Sequence, residues 1–354
     1  MRLSLAALCA LVLLATGCDS DDPDDPGPAG ATATVTVMTQ NLYLGGDLFE
    51  VAGVTDPAGV PPAVAELYAT VEASDPAARM AAIAAEIARV DPALVGLQEV
   101  TTYAVQTPGD AAAGGTTPAT DVTYDFLQLL LDALDAAGAD YRVAARLDNA
   151  DVELPATADG QTFFDVRYRD ADVILARGDV TTGPAVQQAF GSLVTIPVGG
   201  VDQTFVRGYQ YVPATVGPLS FTFANTHLEV GGPAEFVQSL QAIELDAALD
   251  AVAGPVALVG DINSDGLTGG TSYNILTADF QDAAPNAGPT CCQDSDIRNE
   301  ASELVTRIDV ILTRGFVGAT DAEVVLDEPS DRVGGLWPSD HAGVWAELEA
   351  GVGS

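Results

Sequence analysis

The feature that most limits how this chain can fold is a series of short apolar runs that each break off at a polar residue. Residues 255–259 read Pro-Val-Ala-Leu-Val and stop at Gly260-Asp261-Ile262-Asn263. An apolar run of this length, ended by glycine, reads as a buried strand. Residues i and i+2 of an extended chain point the same way, so Asp261 and Asn263 can share one site just past the strand end. Open α/β sheets hold their ligands at such ends. Taken alone, the stretch reads better as an Asp/Asn-rich turn.

The same punctuation recurs along the chain. Residues 32–39 run into Gln40-Asn41, residues 93–97 into Gln98-Glu99, and residues 218–225 into Thr226-His227. Arg307 and Asp309 lie in a strand pattern over 306–312, and Ser339-Asp340-His341 precedes the last one, 343–348. The chain has 2 histidines, and both fall at these stops. An aspartate flanked by Ile308 and Val310 is costly unless paired. Helical patterns alternate with the strands: 77–90, opened by the cap signal Asp75-Pro76; 124–137, with Phe126, Leu127, Leu130, Leu131 and Leu134; and 233–252. Apolar strands alternating with helices predict an α/β core with both sheet faces covered. Elsewhere the pattern predicts a surface loop over 101–120, strands at 141–145, 172–176 and 323–326, and an irregular excursion over 147–163. It also predicts a hairpin of 192–198 with 204–212, and a loop-rich segment 264–303 with a helical turn near 271–278. No internal repeat and no membrane span is seen.

Acidic residues number 51 against 13 basic ones, for a net charge of −38, and every basic residue is arginine. Such a surface suits either a cationic partner or a salty medium, the second reading being the simpler. It disfavours nucleic acid as a partner without excluding it, because binding a polyanion's backbone requires Lys and Arg to displace counterions.

The N-terminus reads as a targeting segment. Met1-Arg2 is followed by an apolar stretch, 3–14, too short to span a bilayer. Ala15-Thr16-Gly17-Cys18 then resembles a lipoprotein cleavage site, with Ala15 where leucine is usual. The expected layout is a signal peptide over 1–17, Cys18 lipidated, an acidic Asp/Pro/Gly tether over 18–31, and a globular domain over 32–350. An ordinary secretory signal cleaved at Ala15 or Gly17 is the alternative. The lipoprotein layout implies an exported bacterial protein anchored to a membrane, with its domain facing the periplasm or exterior. Cys291 and Cys292, adjacent in sequence, are either a vicinal disulfide or a free pair.

Glu99, Asp261, Asp309 and Asp340, with two histidines and two asparagines, form an oxygen-rich set suited to Mg²⁺ or Mn²⁺. The series Thr39-Gln40-Asn41, Gly96-Leu97-Gln98-Glu99-Val100, Asn225-Thr226-His227-Leu228, Gly260-Asp261-Ile262-Asn263, Arg307-Ile308-Asp309-Val310-Ile311 and Ser339-Asp340-His341 resembles the endonuclease/exonuclease/phosphatase superfamily, of deoxyribonuclease-I-like fold. Thr290-Cys291-Cys292-Gln293, with Asn299 and Ser302, resembles an exported bacterial branch of it.

The resemblance implies a four-layer sandwich of two packed mixed β-sheets flanked by helices, and hydrolysis of a phosphoester, most simply a phosphodiester, by water. It implies Glu99 as the main ligand of Mg²⁺ or Mn²⁺, with Asn41 and Asp340. Asp261 would take the proton of the attacking water, and Asn263 would hold the phosphate. His341, paired with Asp309, would donate to the phosphate, and His227 would bind a phosphate oxygen or protonate the leaving group. Arg167, Tyr168 and Arg169 are the candidates for a further phosphate contact, or else surface charge partners. A monomer is expected. Within phosphoester hydrolysis three substrates stay open: extracellular nucleic acid, for a nuclease of the same fold; a phospholipid or sphingomyelin; and a small phosphorylated metabolite, for a phosphomonoesterase. The competing readings from other classes are a catalytically inactive surface-binding lipoprotein and a calcium-binding module. The last lacks the 12-residue loop spacing.

Overall fold

In the computed structural model, which describes residues 31–198 and 201–352, the apolar runs form two sheets packed face to face. The expected signal peptide, Cys18 and the tether up to residue 30 lie outside the described residues. From Thr32 on, the chain is one compact unit.

The chain begins in the first sheet with β1 (Thr32–Asn41). Helices α1 (Leu48–Ala52), α2 (Val60–Ala73) and α3 (Pro76–Val90) follow, and β2 (Leu94–Gln98) then pairs with β1 in parallel. The register sets Asn41 opposite Gln98. Helix α3 starts where expected: Asp75 Oδ1 accepts from Ala78 N at 3.2 Å and Pro76 takes the first helical position. Met80, Ile83 and Ile87 repeat every three or four residues and are fully buried, each contributing about 2 kcal/mol of burial. The first sheet continues with β3 (Thr102–Gln106), β4 (Asp121–Asp125), helix α4 (Phe126–Ala136), β5 (Tyr141–Ala156) and β6 (Phe164–Arg177).

The chain then enters the second sheet through β7 (Thr181–Thr182) and β8 (Val186–Ala189). A separate hairpin follows, β9 (Val194–Val198) with β10 (Val201–Phe205). The second sheet resumes with β11 (Gly208–Val216), β12 (Leu219–His227), helix α5 (Glu235–Asp250), β13 (Val256–Asp261), helix α6 (Thr271–Leu276), β14 (Gln281–Asp282) and β15 (Asp309–Arg314). Strands β16 (Gly318–Val325) and β17 (Gly343–Gly351) return to the first sheet. The strand orders are β16-β17-β1-β2-β6-β3-β4, with β5 beside β6, and β14-β15-β13-β12-β11-β7, with β8 beside β11. Each sheet is mixed, with one parallel pair, β1–β2 or β12–β13.

The inner faces meet through Val35, Val37, Leu94 and Ile174 on one side and Phe223, Ala257, Val259 and Ile311 on the other. Helices α2, α3 and α4 cover the outer face of the first sheet, and α5 and α6 that of the second. The result is the expected four-layer α/β sandwich. Among the described residues, no helix is long and apolar enough to cross a membrane.

One polar side chain ties the sheets together near the site. Asn225, fully buried on β12, donates from Nδ2 to Leu97 O (3.0 Å) and Val173 O (3.2 Å) of the first sheet, and its Oδ1 accepts from Gln98 Nε2 (2.7 Å). Gly96 makes this approach possible: a Cβ there would lie 2.7 Å from Asn225 Oδ1 and 2.4 Å from Val259 Cγ2.

Three expectations need correction. The loop expected over 101–120 contains β3, held between β4 and β6, because only Tyr103, Ala104 and Val105 carry an apolar signal in a small-residue segment. The excursion over 147–163 is largely the long β5–β6 hairpin, whose register shifts at Val143/Ala145 and Asp148/Ala150 break the two-residue alternation. The hairpin partner expected at 204–212 is split: β10 ends at Phe205, and β11 begins at Gly208 and pairs with β12.

Candidate active site

Strand polarity brings the polar stops to one end of the sandwich. The parallel strands β1, β2, β12 and β13 finish there, at Asn41, Gln98, His227 and Asp261, and β15 and β17 start there, at Asp309 and just past His341. His227 pairs in register with Asp261, and Asp261 with Asp309. The backbone turns sharply as it leaves the strands. Glu99 (φ +54°) and Asn263 (φ +49°) adopt the left-handed conformation, which costs a non-glycine residue about 1–2 kcal/mol and recurs at functional sites. Gly260 has φ +149°, and a Cβ there would lie 2.1 Å from Thr226 O.

Asp261 is the hub. Its Oδ2 accepts from Asn41 Nδ2 at 3.1 Å and lies 3.4 Å from His227 Nε2 and 3.8 Å from His341 Nε2. Its Oδ1 accepts from the Asn263 backbone N–H at 2.9 Å. Asn263 Nδ2 donates to Leu228 O and lies 3.2 Å from His227 Nε2, while Gln238 Nε2 holds the Asn263 carbonyl. His341 Nδ1 faces Asp309 Oδ2 at 2.9 Å, and the Asp309 and Ile308 backbone N–H groups both donate to Thr290 Oγ1. Glu99 accepts from Asn41 Nδ2 (3.2 Å) and from Leu44 N (2.9 Å). Glu99, His227, Asp261, Asn263, Asp340 and His341 all line one cavity of about 330 Å³.

The two histidines have opposite tendencies. His341 is raised well above its usual pKa: burial opposes its charged form, but Asp309, Asp340 and Asp261 outweigh burial. His227 is lowered well below it by burial and by the nearby positive charges of Arg207 and His341. Arg207 Nη1 donates to His227 Nδ1 at 2.7 Å, leaving the ring proton on Nε2, toward Asp261. Burial, then Asp309, push Asp261 up to about 7, with His341 opposing. Burial also pushes Asp340 up to about 7, against the pull of His341.

Glu99, Asn41 and Asp340 offer hard oxygen donors of the kind that hold Mg²⁺ or Mn²⁺. Asp340 Oδ1 is buried without a hydrogen-bond partner, which fits an oxygen that ligates a cation. Asp261, Asp309 and His341 also cluster within 4.8 Å of one another, but the carboxylates that raise the His341 pKa favour its protonated ring, which has no lone pair to offer a cation.

The expected phosphate contacts sit differently. Arg167 Nε bonds Asp151 Oδ1 at 2.6 Å across the β5–β6 hairpin, and neither Arg167 nor Arg169 lines the cavity. Tyr168 packs on Tyr103 and borders a side cavity shared with Glu99 and Arg207. On β6 it is Asp172 that approaches the site, its Oδ1 lying 3.9 Å from His227 Nδ1. The arginine at the cavity is Arg207, kept charged despite burial by Glu229, Asp170, Asp172 and Glu99. Reading 204–212 as one strand hid it, although Gly208 immediately after it marks the break. Cys291 and Cys292 are joined in a disulfide, with Cys292 Sγ 3.9 Å from His341 Nε2.

A histidine held toward its charged form and one held toward its neutral form thus face one buried carboxylate at the end of a four-layer sandwich. The chain belongs to the Endonuclease/Exonuclease/phosphatase family, whose profile matches residues 38–341. A family protein from Leptotrichia buccalis superposes with a TM-score of 0.54 at 14% identity, covering 89% of this chain and 99% of that one. One from Bacteroides thetaiotaomicron gives 0.53 at 17%, covering 91% and 97%. The mannosyl-6-phosphatase of Bacteroides thetaiotaomicron VPI-5482 gives 0.52 at 17%, covering 89% and 99%. At these identities the likeness speaks for the fold alone. No curated protein matches the sequence.

Proposed function

We propose that the protein is a divalent-metal-dependent phosphodiesterase that acts outside the cytoplasm, tethered through Cys18. The observation that carries the catalytic part is the position of Asp261, within 3.8 Å of the Nε2 atoms of both histidines, one of which is paired with Asp309. Asp261 accepts the proton of the attacking water, and the Asn41 amide and the Asn263 backbone N–H hold its carboxylate in place. Asn263 presents its side-chain amide to the phosphate. His341, protonated and oriented by Asp309, donates to a phosphate oxygen as charge builds there. His227, neutral and with its Nδ1 held by Arg207, donates from Nε2 to a second oxygen or to the leaving group. Glu99, Asn41 and Asp340 would hold Mg²⁺ or Mn²⁺, which supplies neutralisation of the phosphate charge and polarisation of the P–O bond.

The test is hydrolysis of bis(p-nitrophenyl) phosphate by the full-length chain with Mg²⁺ or Mn²⁺. Activity should vanish in EDTA and return with excess metal. His341→Ala should lower kcat by about 10²–10⁴-fold with the fold retained by circular dichroism. Full activity in His341→Ala or in EDTA would sink the reading.

A further inference from the structure

The chemistry of the cavity changes from one side to the other. One half carries the carboxylates and histidines. The other is apolar, built by Leu44, Leu48 and Phe49 at the exit of β1 and in α1, and by Val194, Ile196 and Phe205 of the β9–β10 hairpin. Neither segment belongs to either large sheet. The apolar wall continues past Leu48, Ala52 and Phe205 into a second cleft of about 60 Å³. Phe49, at the mouth, is 57% exposed, so the wall is open to solvent rather than closed by the chain. An open apolar surface joined to a reactive centre reads as a binding surface.

The charges narrow the occupant. Arg207 is the one Lys or Arg side chain lining the cavity among the described residues, and it is already committed to His227. Asp47 and Glu229 add negative charge to the lining. A polynucleotide brings flanking phosphates that need cations to meet them, and this cavity offers none. A diester with a single phosphate and an uncharged apolar group meets no repulsion beyond the reacting centre.

We infer that the substrate is a lipid phosphodiester, whose aliphatic group lies along the wall formed by α1 and the β9–β10 hairpin while its phosphate sits between Asp261 and the histidines. This rests on the phosphodiesterase reading and adds the substrate class. The reaction is unchanged: water forms the new P–O bond, the ester P–O bond breaks, and the leaving alkoxide takes a proton.

The experiment compares methyl, butyl and octyl esters of p-nitrophenyl phosphate, below their micellar concentrations, using the full-length chain. The p-nitrophenyl ester of the dinucleotide pTpT, which carries the same leaving group and one flanking phosphate, is run alongside. The expected result is a kcat/KM that rises about fourfold per added methylene until the wall is filled, with the dinucleotide below the butyl ester. Phe49→Asp and Ile196→Asp, each shown folded by circular dichroism and thermal melting, should flatten the rise. A flat chain-length dependence, or a dinucleotide preferred over the butyl ester, overturns the lipid assignment and leaves the phosphodiesterase reading standing. Failure to cleave any diester, bis(p-nitrophenyl) phosphate included, overturns both.

Discussion

Arg207 shows how much one side chain decides at this site. A neutral imidazole has two tautomers, and the partner of one ring nitrogen selects which is present. The Arg207 guanidinium can only donate, so its 2.7 Å contact assigns the lone pair of His227 to Nδ1 and the proton to Nε2. Arg207 is also, after burial, the main cause of the lowered His227 pKa. Arg207→Met should therefore raise the His227 pKa toward its ordinary value and lower kcat/KM by about 10–100-fold. With 2 histidines in the chain, both imidazole titrations can be followed by NMR. An unmoved His227 titration would refute this role. His341 should respond oppositely to its own partner. Asp309→Asn removes the carboxylate that most raises the His341 pKa, so that pKa should fall and kcat with it, by about 10²–10⁴-fold.

At the scale of elements, the site depends on how strands end and on what clamps those ends. Gly260 brings β13 against β12 so closely that any Cβ would collide with the Thr226 carbonyl. Gly260→Ala should cost about 3 kcal/mol or more, because the backbone must shift and φ is strained; denaturant unfolding measures this, and a loss under about 1 kcal/mol would contradict it. Helix α3 supplies a second clamp through Arg79. This side chain is 1% exposed and donates to Leu42 O (2.8 Å), Tyr43 O (3.2 Å) and Pro338 O (3.1 Å), so it binds the segment after Asn41 to the segment before Asp340. Burial lowers its pKa to about 10, leaving it charged at neutral pH. Arg79→Met should destabilise by about 3–5 kcal/mol, since it strands buried carbonyls. Loss of metal affinity should accompany it, read by isothermal titration with Mg²⁺. The polar stops made the strand ends legible, but nothing in the pattern of residues 77–90 separates Arg79 from a solvated helix residue.

For the whole molecule, the largest electrostatic effect is self-repulsion. A net charge of −38 destabilises the compact state when counterions are scarce, and salt screens it within about 10 Å at 0.1 M. Raising NaCl from about 10 mM to about 1 M should lift Tm by on the order of 5 °C, measured by differential scanning calorimetry. A salt-independent Tm would show that self-repulsion does not limit the stability of the fold. The same field disfavours polyanionic substrates at low salt.

Sequence alone determined the class of fold and most of the residues that gather at the candidate site. Apolar runs ending in polar residues report strands buried on both faces, and strand ends are where a buried sheet can expose carboxylates and imidazoles; Asp261, Asp309, Glu99, His227 and His341 were all visible for that reason. Tertiary structure alone decided the geometry in which they meet. The 2.9 Å contact of His341 with Asp309, the Arg207 contact that selects the His227 tautomer, the Asn225 bridge and the apolar wall facing the carboxylates all join residues far apart in the chain. Strand register and sheet packing set those distances, and a local pattern of residues carries no record of either.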